Sequence, residues 1–195
     1  MSAQPSATYV EMVKERLTAY FDFETVPELL KDKAQVFARF TQTDEKYFLN
    51  RRMNLYTVNN HQYVAVGEFD HVTDQDLQAV FTSMQTLIES FGSFENTMST
   101  DYTFTLVSRQ PVDGVTIEKA LAGMKYHKSF NFGWRGWADL GLIVVDLSNE
   151  RVYANRYAQK QLETVLWSFD SKPLITPQRS LLSRLPLIRG GGCCG

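Results

Sequence analysis

Histidine, serine, arginine and aspartate, residue types that serve in catalytic and ligand-binding sites, lie in and just before the segment FNFGWRGWADLG, residues 130–141. If this part of the chain is an extended strand, His127, Ser129 and Asn131 lie on one face of it. Arg135 and Asp139 follow within the segment. A guanidinium offers a planar fork for a carboxylate or a phosphate, and it also stacks on aromatic rings such as the neighbouring indole. The candidate ligand site therefore consists of His127, Trp134, Arg135 and Asp139.

A structural role for the same residues is the alternative. Asp139 opens the apolar run ADLGLIVVDL, which is typical of a strand that is covered on both faces. A carboxylate at such a position needs a partner, and Arg135 is the nearest candidate. An ion pair between the two side chains accounts for both residues as well as a bound anion does.

The aromatic residues of this segment predict a bend in the strand. Phe130, Phe132 and Trp134 share one face by strand parity, which we expect to be buried. Trp137 has the opposite parity, so a straight strand would leave one of the two indoles in water. A bulge or bend at Gly136 would turn Trp137 back toward the core, because glycine tolerates that backbone. We therefore predict that both tryptophans are substantially buried.

A second polar group lies in the segment GEFDH, which contains Glu68, Asp70 and His71. Two acids two residues apart share a strand face and can bind a divalent ion in a metal-dependent hydrolase. Nucleases of that kind usually add a lysine after the second acid, and this segment has none. Acids before a helix are also favoured by the helix dipole alone. The hydrolase remains an alternative, and no metal ligand is assigned.

Several site types leave no trace in the sequence. There is no phosphate-binding P-loop, no glycine-rich dinucleotide motif and no G-x-S-x-G, so we expect no cofactor. The three histidines lack metal-ligand spacing with one another. The formal net charge is −2, which argues against nucleic acid as a partner.

The C-terminal part of the chain differs from the rest. Residues 171–195 contain four basic residues and no acidic one, which gives them a net charge of +4. Because the whole chain carries −2, residues 1–170 carry −6. Prolines interrupt this part, and RGGGCCG follows with the only cysteines, Cys193 and Cys194. We predict a single domain over residues 1–170 and a flexible basic tail over 171–195. The tail could contact a membrane surface if its cysteines were acylated.

The elements that position these residues follow from hydrophobic periodicity. A first helix begins near Thr8, and a second is capped by Thr73 and Asp76 and ended by Gly92. The polar letters NNHQ predict a hairpin turn, and residues 156–169 predict a last helix. Hairpin-joined strands dominate this pattern. We therefore expect an α+β fold, with a mostly antiparallel sheet packed against about four helices.

Three segments resemble an uncharacterised family of small bacterial proteins, a domain of unknown function. They are AYFDFE, KYFL and YHKSFNFGWRGWADLGLIVVDL, and the resemblance rests chiefly on the run YHKSF-x-FG-x-x-GW-x-D. It extends from about Tyr9 to Leu166 and leaves out the tail. The resemblance implies a bacterial, cytoplasmic protein. No stretch of the sequence approaches the roughly 18 apolar residues of a membrane span, so we expect no transmembrane segment. It transfers no activity and no functional residue.

Two functional classes remain open at this point. We expect a non-enzymatic binding or protein-interaction module, with another protein, a second copy of the chain as a homodimer, or a small acidic ligand as its partner. The rival is an enzyme with a small polar site, either around Glu68, Asp70 and His71 or around Arg135 and Asp139. An enzyme needs its polar groups within a few ångströms of one another, so their convergence in the fold separates the two classes.

Overall fold

A computed structural model describes residues 5–46, 56–92 and 97–158. Its described part holds three α-helices and seven strands. In chain order, the elements are α1 (Pro5–Leu17), β1 (Asp22–Phe23), a 3-10 turn (Glu28–Leu30), β2 (Val36–Lys46), β3 (Tyr56–Phe69), α2 (Asp74–Phe91), β4 (Thr97–Ser108), α3 (Gly114–Gly123), β5 (His127–Ser129), a second 3-10 turn (Asn131–Gly133), β6 (Trp137–Asp146) and β7 (Arg151–Ala154).

The strands form one mixed sheet in the order β1-β2-β3-β4-β6-β5, with β7 also paired to β6. The two central pairs, β3–β4 and β4–β6, are parallel, and all outer pairs are antiparallel. Parallel neighbours require a crossover connection, and α2 and α3 are those crossovers. Along the outer edge of β6, β5 pairs with its first residues and β7 with its last ones.

The expectation of a mostly antiparallel sheet with about four helices is wrong. A helix between two strands returns the chain to the same end of the sheet, so the next strand runs parallel. The letters NNHQ form no turn, because β3 runs through residues 59–62 and is hydrogen-bonded to neighbours on both sides. The predicted last helix, residues 156–169, lies outside the described residues beyond Ala158, as does the tail.

The predicted boundaries of α2 are confirmed. The Thr73 hydroxyl accepts the backbone N–H of Asp76, and the Asp76 carboxylate accepts the backbone N–H of Thr73. This reciprocal capping box satisfies two otherwise free donors of the first turn. Gly92 ends the helix with a φ of 65°, which a side chain would oppose. None of the described helices is long and apolar enough to cross a membrane.

The core on the α2–α3 face of the sheet contains a stack of aromatic rings. Tyr63 stacks on Tyr102, with ring centroids 4.9 Å apart and an interplanar angle of 7°. Phe37 stacks on the other side of Tyr63 at 5.7 Å. Each of these residues is at most 2% exposed. We call Phe37, Tyr63 and Tyr102 the aromatic stack, and it ties β2, β3 and β4 together.

The α1 face of the sheet changes from apolar to polar along the strands. Where α1 covers it, residues of β2, β3, β4 and β6, mostly valines, form a second core. Further along the same face, four polar residues lie directly opposite one another on neighbouring strands. We call them the polar row, and they are Gln62, Asp101, Asp139 and His127.

Candidate functional site

The end of the polar row lies on the antiparallel pair β5–β6. The registers His127↔Asp139 and Ser129↔Trp137 place all four side chains on the α1 face. Just beyond the C-terminal end of β5, the backbone N–H of Phe130 donates to the carbonyl of Gly136. Just before its N-terminal end, the carbonyl of Tyr126 accepts the N–H of Leu140. The even-numbered residues 126, 128 and 130 therefore form the hydrogen-bonded pairs with β6, whereas His127 and Ser129 occupy non-hydrogen-bonded pairs, in which facing side chains approach most closely.

Three side chains at this position form a hydrogen-bonded relay. His127 Nδ1 lies 2.6 Å from Asp139 Oδ1, and His127 Nε2 lies 3.3 Å from Ser129 Oγ. An ionised carboxylate can only accept, so in the neutral imidazole Nδ1 carries the proton and Nε2 accepts the Ser129 hydroxyl. We call Ser129, His127 and Asp139 the relay. The His127 side chain is 47% exposed and that of Asp139 is 21% exposed, so solvent reaches both.

The loop that follows β5 is held by its own backbone. The N–H groups of Phe130, Trp134 and Arg135 donate to the carbonyls of Gly136, Asn131 and Phe130 at 2.9, 3.1 and 3.2 Å, respectively. Asn131 has a φ of 48° and Phe132 a φ of 55°, values that non-glycine residues seldom adopt. We call residues 130–136 the aromatic loop. Its shape is set by these bonds and by Phe130, which packs against the core, and not by burial of Phe132 or Trp134.

Gly136 marks the bend that the sequence predicts. Its φ is 77°, in the left-handed region. A Cβ atom here would lie 2.5 Å from the carbonyl oxygen of Thr97 and 2.6 Å from that of Met98. Both the backbone angle and the close approach to β4 therefore call for glycine.

The predicted burial of both tryptophans is wrong. Trp134 is 88% exposed and Phe132 is fully exposed, whereas Trp137 is half-buried in β6. Strand parity assigned Phe132 and Trp134 to a buried face, but β5 ends at Ser129 and the chain turns there. Only Phe130 follows the expectation, since it packs at the margin of the core on the α2–α3 face.

Asp139 takes His127 as its partner, not the Arg135 that the sequence suggests. Arg135 lies on the aromatic loop, where it is exposed. The four predicted site residues are thus divided in two. His127 and Asp139 belong to the relay, while Trp134 and Arg135 belong to the loop. Ser129 completes the relay, and its spacing of two residues from His127 is the sequence signal for that contact.

The acids of the segment GEFDH form a salt-bridge cluster. Arg109, at the end of β4, pairs with Glu68 through one guanidinium nitrogen and with Asp70 through the other, the latter at 3.1 Å. His71 is exposed at the start of the following loop. No group of three His, Cys, Asp or Glu side chains in the described ranges is placed to hold a metal ion. The Arg109 guanidinium thus neutralises the two carboxylates that the sequence suggested as ligands of a divalent ion.

Asn155 is a structural residue that the sequence analysis missed. It fills the gap between β5 and β7 along β6, where its Oδ1 accepts the N–H groups of Leu142 at 3.1 Å and Ala158 at 3.0 Å. Its Nδ2 donates to the carbonyls of Leu140 and Met124, both at 3.0 Å. The buried amide thereby replaces the missing strand residue. Most of these partners are distant in sequence and meet only in the assembled sheet, so no local sequence pattern predicts the role of Asn155.

The fold and site define a domain of mixed α and β structure with a relay and an exposed aromatic loop at one sheet edge. Residues 5–166 match the family described as a domain of unknown function (DUF8052), so the chain belongs to that family. The resemblance seen in the sequence is confirmed to that extent. No curated protein and no solved structure matches the chain.

Proposed function

We propose that the protein is a binding module for another protein and that the aromatic loop is its anchor. The observation that carries this proposal is the exposure of Trp134, which is 88% accessible on a loop with a defined, hydrogen-bonded shape. A tryptophan in water forgoes the stabilisation that burial of its ring would give. Binding of a partner over the loop recovers that stabilisation.

The shape of the loop lowers the cost of binding. A flexible side chain or segment loses conformational entropy when a partner immobilises it, and this loss subtracts from affinity. Here three backbone hydrogen bonds already fix residues 130–136, and two of the residues hold left-handed angles. The loop backbone therefore needs little further ordering when a partner binds.

The residue types of the loop fit the centre of an interface. Phe132 and Trp134 present two rings, and the guanidinium of Arg135 is exposed next to them. Tryptophan and arginine are enriched among the residues that contribute most to protein–protein affinity. Arginine also pairs with carboxylates through two parallel hydrogen bonds. The partner that fits is a protein with an apolar pocket beside an acidic residue.

The test compares Trp134→Ala with Tyr20→Ala, a matched variant, because Tyr20 is 76% exposed and lies just before β1, the strand at the other edge of the sheet from β5. Each full-length chain serves as bait in cells of its source, and bound proteins are quantified by mass spectrometry. We expect a protein retained by the wild type and by Tyr20→Ala to fall at least tenfold with Trp134→Ala. Analytical ultracentrifugation of the purified chain reports whether that partner is a second copy.

An identical set of bound proteins with all three baits would overturn the proposal, as would loss of the cooperative melt in Trp134→Ala. The second outcome would mean that the ring supports the fold instead of a partner. The proposal includes a bacterial, cytoplasmic setting, which rests on the resemblance of the motif YHKSF-x-FG-x-x-GW-x-D and on the absence of cysteine from residues 1–170.

A further inference from the structure

We propose that Ser129 is a nucleophile for acyl transfer and that small esters are its class of substrate. The proposal rests on the relay alone and does not depend on the aromatic loop or its partner. Asp139, His127 and Ser129 are joined in that order, carboxylate to Nδ1 at 2.6 Å and Nε2 to hydroxyl at 3.3 Å. A serine, a histidine and an aspartate connected through these atoms have the roles of nucleophile, base and orienting acid.

Asp139 is the positioning residue of the relay. By accepting the hydrogen bond from Nδ1–H, it favours the tautomer of the neutral imidazole in which Nε2 carries no proton. The non-hydrogen-bonded register of His127 and Asp139 explains why their side chains meet so closely. The carboxylate is the least exposed member of this pair, at 21% against 47% for the imidazole, so it holds the ring from the inner side.

A donor for the developing oxyanion is available in the backbone. Since even-numbered residues of β5 bond to β6, the N–H of Ser129 points away from β6, toward the edge of the sheet. No strand in the described ranges lies beyond β5 on that side. The nucleophile's own N–H is one of the oxyanion donors used by serine hydrolases. This N–H can donate a hydrogen bond to the oxyanion that develops on an ester carbonyl bound at Ser129 Oγ.

The site admits a ligand without rearrangement of the core. Ser129 and His127 are exposed on the edge strand, and the half-buried indole of Trp137 lies directly across from Ser129. That indole supplies an apolar wall next to the hydroxyl. A small acyl group fits such an open, one-sided site better than a long chain, which would need an enclosed cavity.

The reaction balances with water as the only co-reactant. Ser129 Oγ attacks the ester carbonyl as its proton passes to His127 Nε2, and a bond forms between Oγ and the acyl carbon. The tetrahedral species collapses, the bond to the alcohol oxygen breaks, and Nε2 returns its proton to that oxygen. Water then attacks the acyl-serine with His127 again as the base, which releases the carboxylic acid and restores the serine.

The experiment uses 4-nitrophenyl acetate as the ester and a fluorophosphonate as a covalent probe on the full-length chain. The fluorophosphonate forms a phosphorus–oxygen bond and loses fluoride. We expect a phosphonyl group on Ser129 by peptide mass spectrometry, and its rate of formation should fall at least tenfold in His127→Gln and in Asp139→Asn. The matched control is Ser99→Ala, because Ser99 lies in β4, opposite Trp137 of β6, and its hydroxyl donates to Asn60 at 2.9 Å.

An exposed imidazole hydrolyses 4-nitrophenyl acetate by itself, so the hydrolysis rate needs the serine variant beside it. We expect Ser129→Ala to abolish the covalent label and to lower hydrolysis at least tenfold, with Ser99→Ala equal to the wild type. Hydrolysis unchanged in Ser129→Ala, together with an unlabelled Ser129 in the wild type, would overturn the proposal. The relay would then be a hydrogen-bonded closure of the sheet edge.

Discussion

Two groups of aromatic residues in this protein have opposite environments. In the aromatic stack, Tyr63 and Tyr102 lie face to face at 4.9 Å and are almost inaccessible. In the aromatic loop, Phe132 and Trp134 project into solvent. The residues of both groups fit an alternating strand pattern in the sequence, so residue type and parity alone do not tell the buried group from the exposed one. What differs is the backbone, which remains in a sheet at the stack and leaves it after Ser129.

This difference shows where alternation can be used to infer burial. Inside a ladder with neighbours on both sides, each side chain is held on the face that its parity assigns. Beyond the end of a strand the same count has no physical basis, because left-handed residues reverse the chain direction. The stack should therefore govern stability, and the loop should govern contacts with other molecules. Four predictions, ordered by expected effect, test that division.

Replacement of Tyr102 by alanine should have the largest effect. The ring is 1% exposed and stacks on Tyr63, so its removal leaves a cavity among β2, β3 and β4. We expect a loss of about 3–5 kcal/mol in the free energy of unfolding, measured by urea denaturation. Tyr20→Ala, on an exposed ring, is the control and should change that free energy by less than about 0.5 kcal/mol. Equal losses in the two variants would erase the distinction between the regions.

Replacement of Gly136 by alanine should have an intermediate effect. The φ of 77° disfavours a side chain, and the added Cβ would meet two carbonyl oxygens of β4 within 2.6 Å. We expect a loss of roughly 2 kcal/mol. Gly123→Ala is the matched control, since a Cβ there has no atom within 4 Å and its backbone is helical. A Gly136→Ala chain as stable as the wild type would contradict the described bend.

The aromatic stack should also make the free energy of unfolding depend on pH in alkaline solution. Burial raises the pKa of Tyr102 far above its usual value of 10.0. Above pH 10 the Tyr102 hydroxyl loses its proton in the unfolded chain and keeps it in the folded chain. For this residue, the free energy of unfolding therefore falls by about 1.4 kcal/mol for each unit that the pH rises. Tyr102→Phe should remove that share of the slope between pH 10 and 11. Unfolding free energies of both chains at pH 10 and pH 11 measure it, and an unchanged slope would argue against burial of the hydroxyl.

Replacement of Trp134 by alanine should have the smallest effect on stability. The indole is 88% exposed, so its loss forms no cavity. We expect the free energy of unfolding to change by less than about 0.5 kcal/mol. In the intact chain, acrylamide should quench part of the tryptophan fluorescence freely, and this variant should lose that accessible part. A destabilisation of about 3 kcal/mol or more would place the ring in a core and remove the basis for the proposed anchor.

The sequence was sufficient for local features and insufficient for the arrangement of the strands. The capping box of Thr73 and Asp76, the end of α2 at Gly92 and the bend at Gly136 were all predictable, because each depends on the conformational preference of a few adjacent residues. The parallel centre of the sheet was not, because it depends on where each strand finds its partner. The predicted turn at residues 59–62 fails for the same reason, since only pairing with β2 and β4 holds these polar residues extended.

The candidate site could be predicted in the same partial way. His127, Ser129 and Asp139 were recognisable as polar residues of one region, and parity placed the first two on one face. The choice of His127 over Arg135 as the partner of Asp139 needed the register of β5 on β6. The exposure of Trp134 needed the end of β5 to be known. Residue chemistry is thus visible in a sequence, but contacts across strands are not.

The strand order has a consequence for the speed of folding. Tyr63 and Tyr102 are paired across β3 and β4 although they lie 39 positions apart, and Tyr102 is paired with Leu140, which lies 38 positions further on. Such distant pairs must close long segments of chain before any contact stabilises them, so a high contact order predicts slow folding. β4 takes part in both pairings, which makes it the natural centre of a folding nucleus. Changes in β4 should therefore slow the folding rate, whereas changes in the aromatic loop, which forms after the ladder, should leave that rate unaltered.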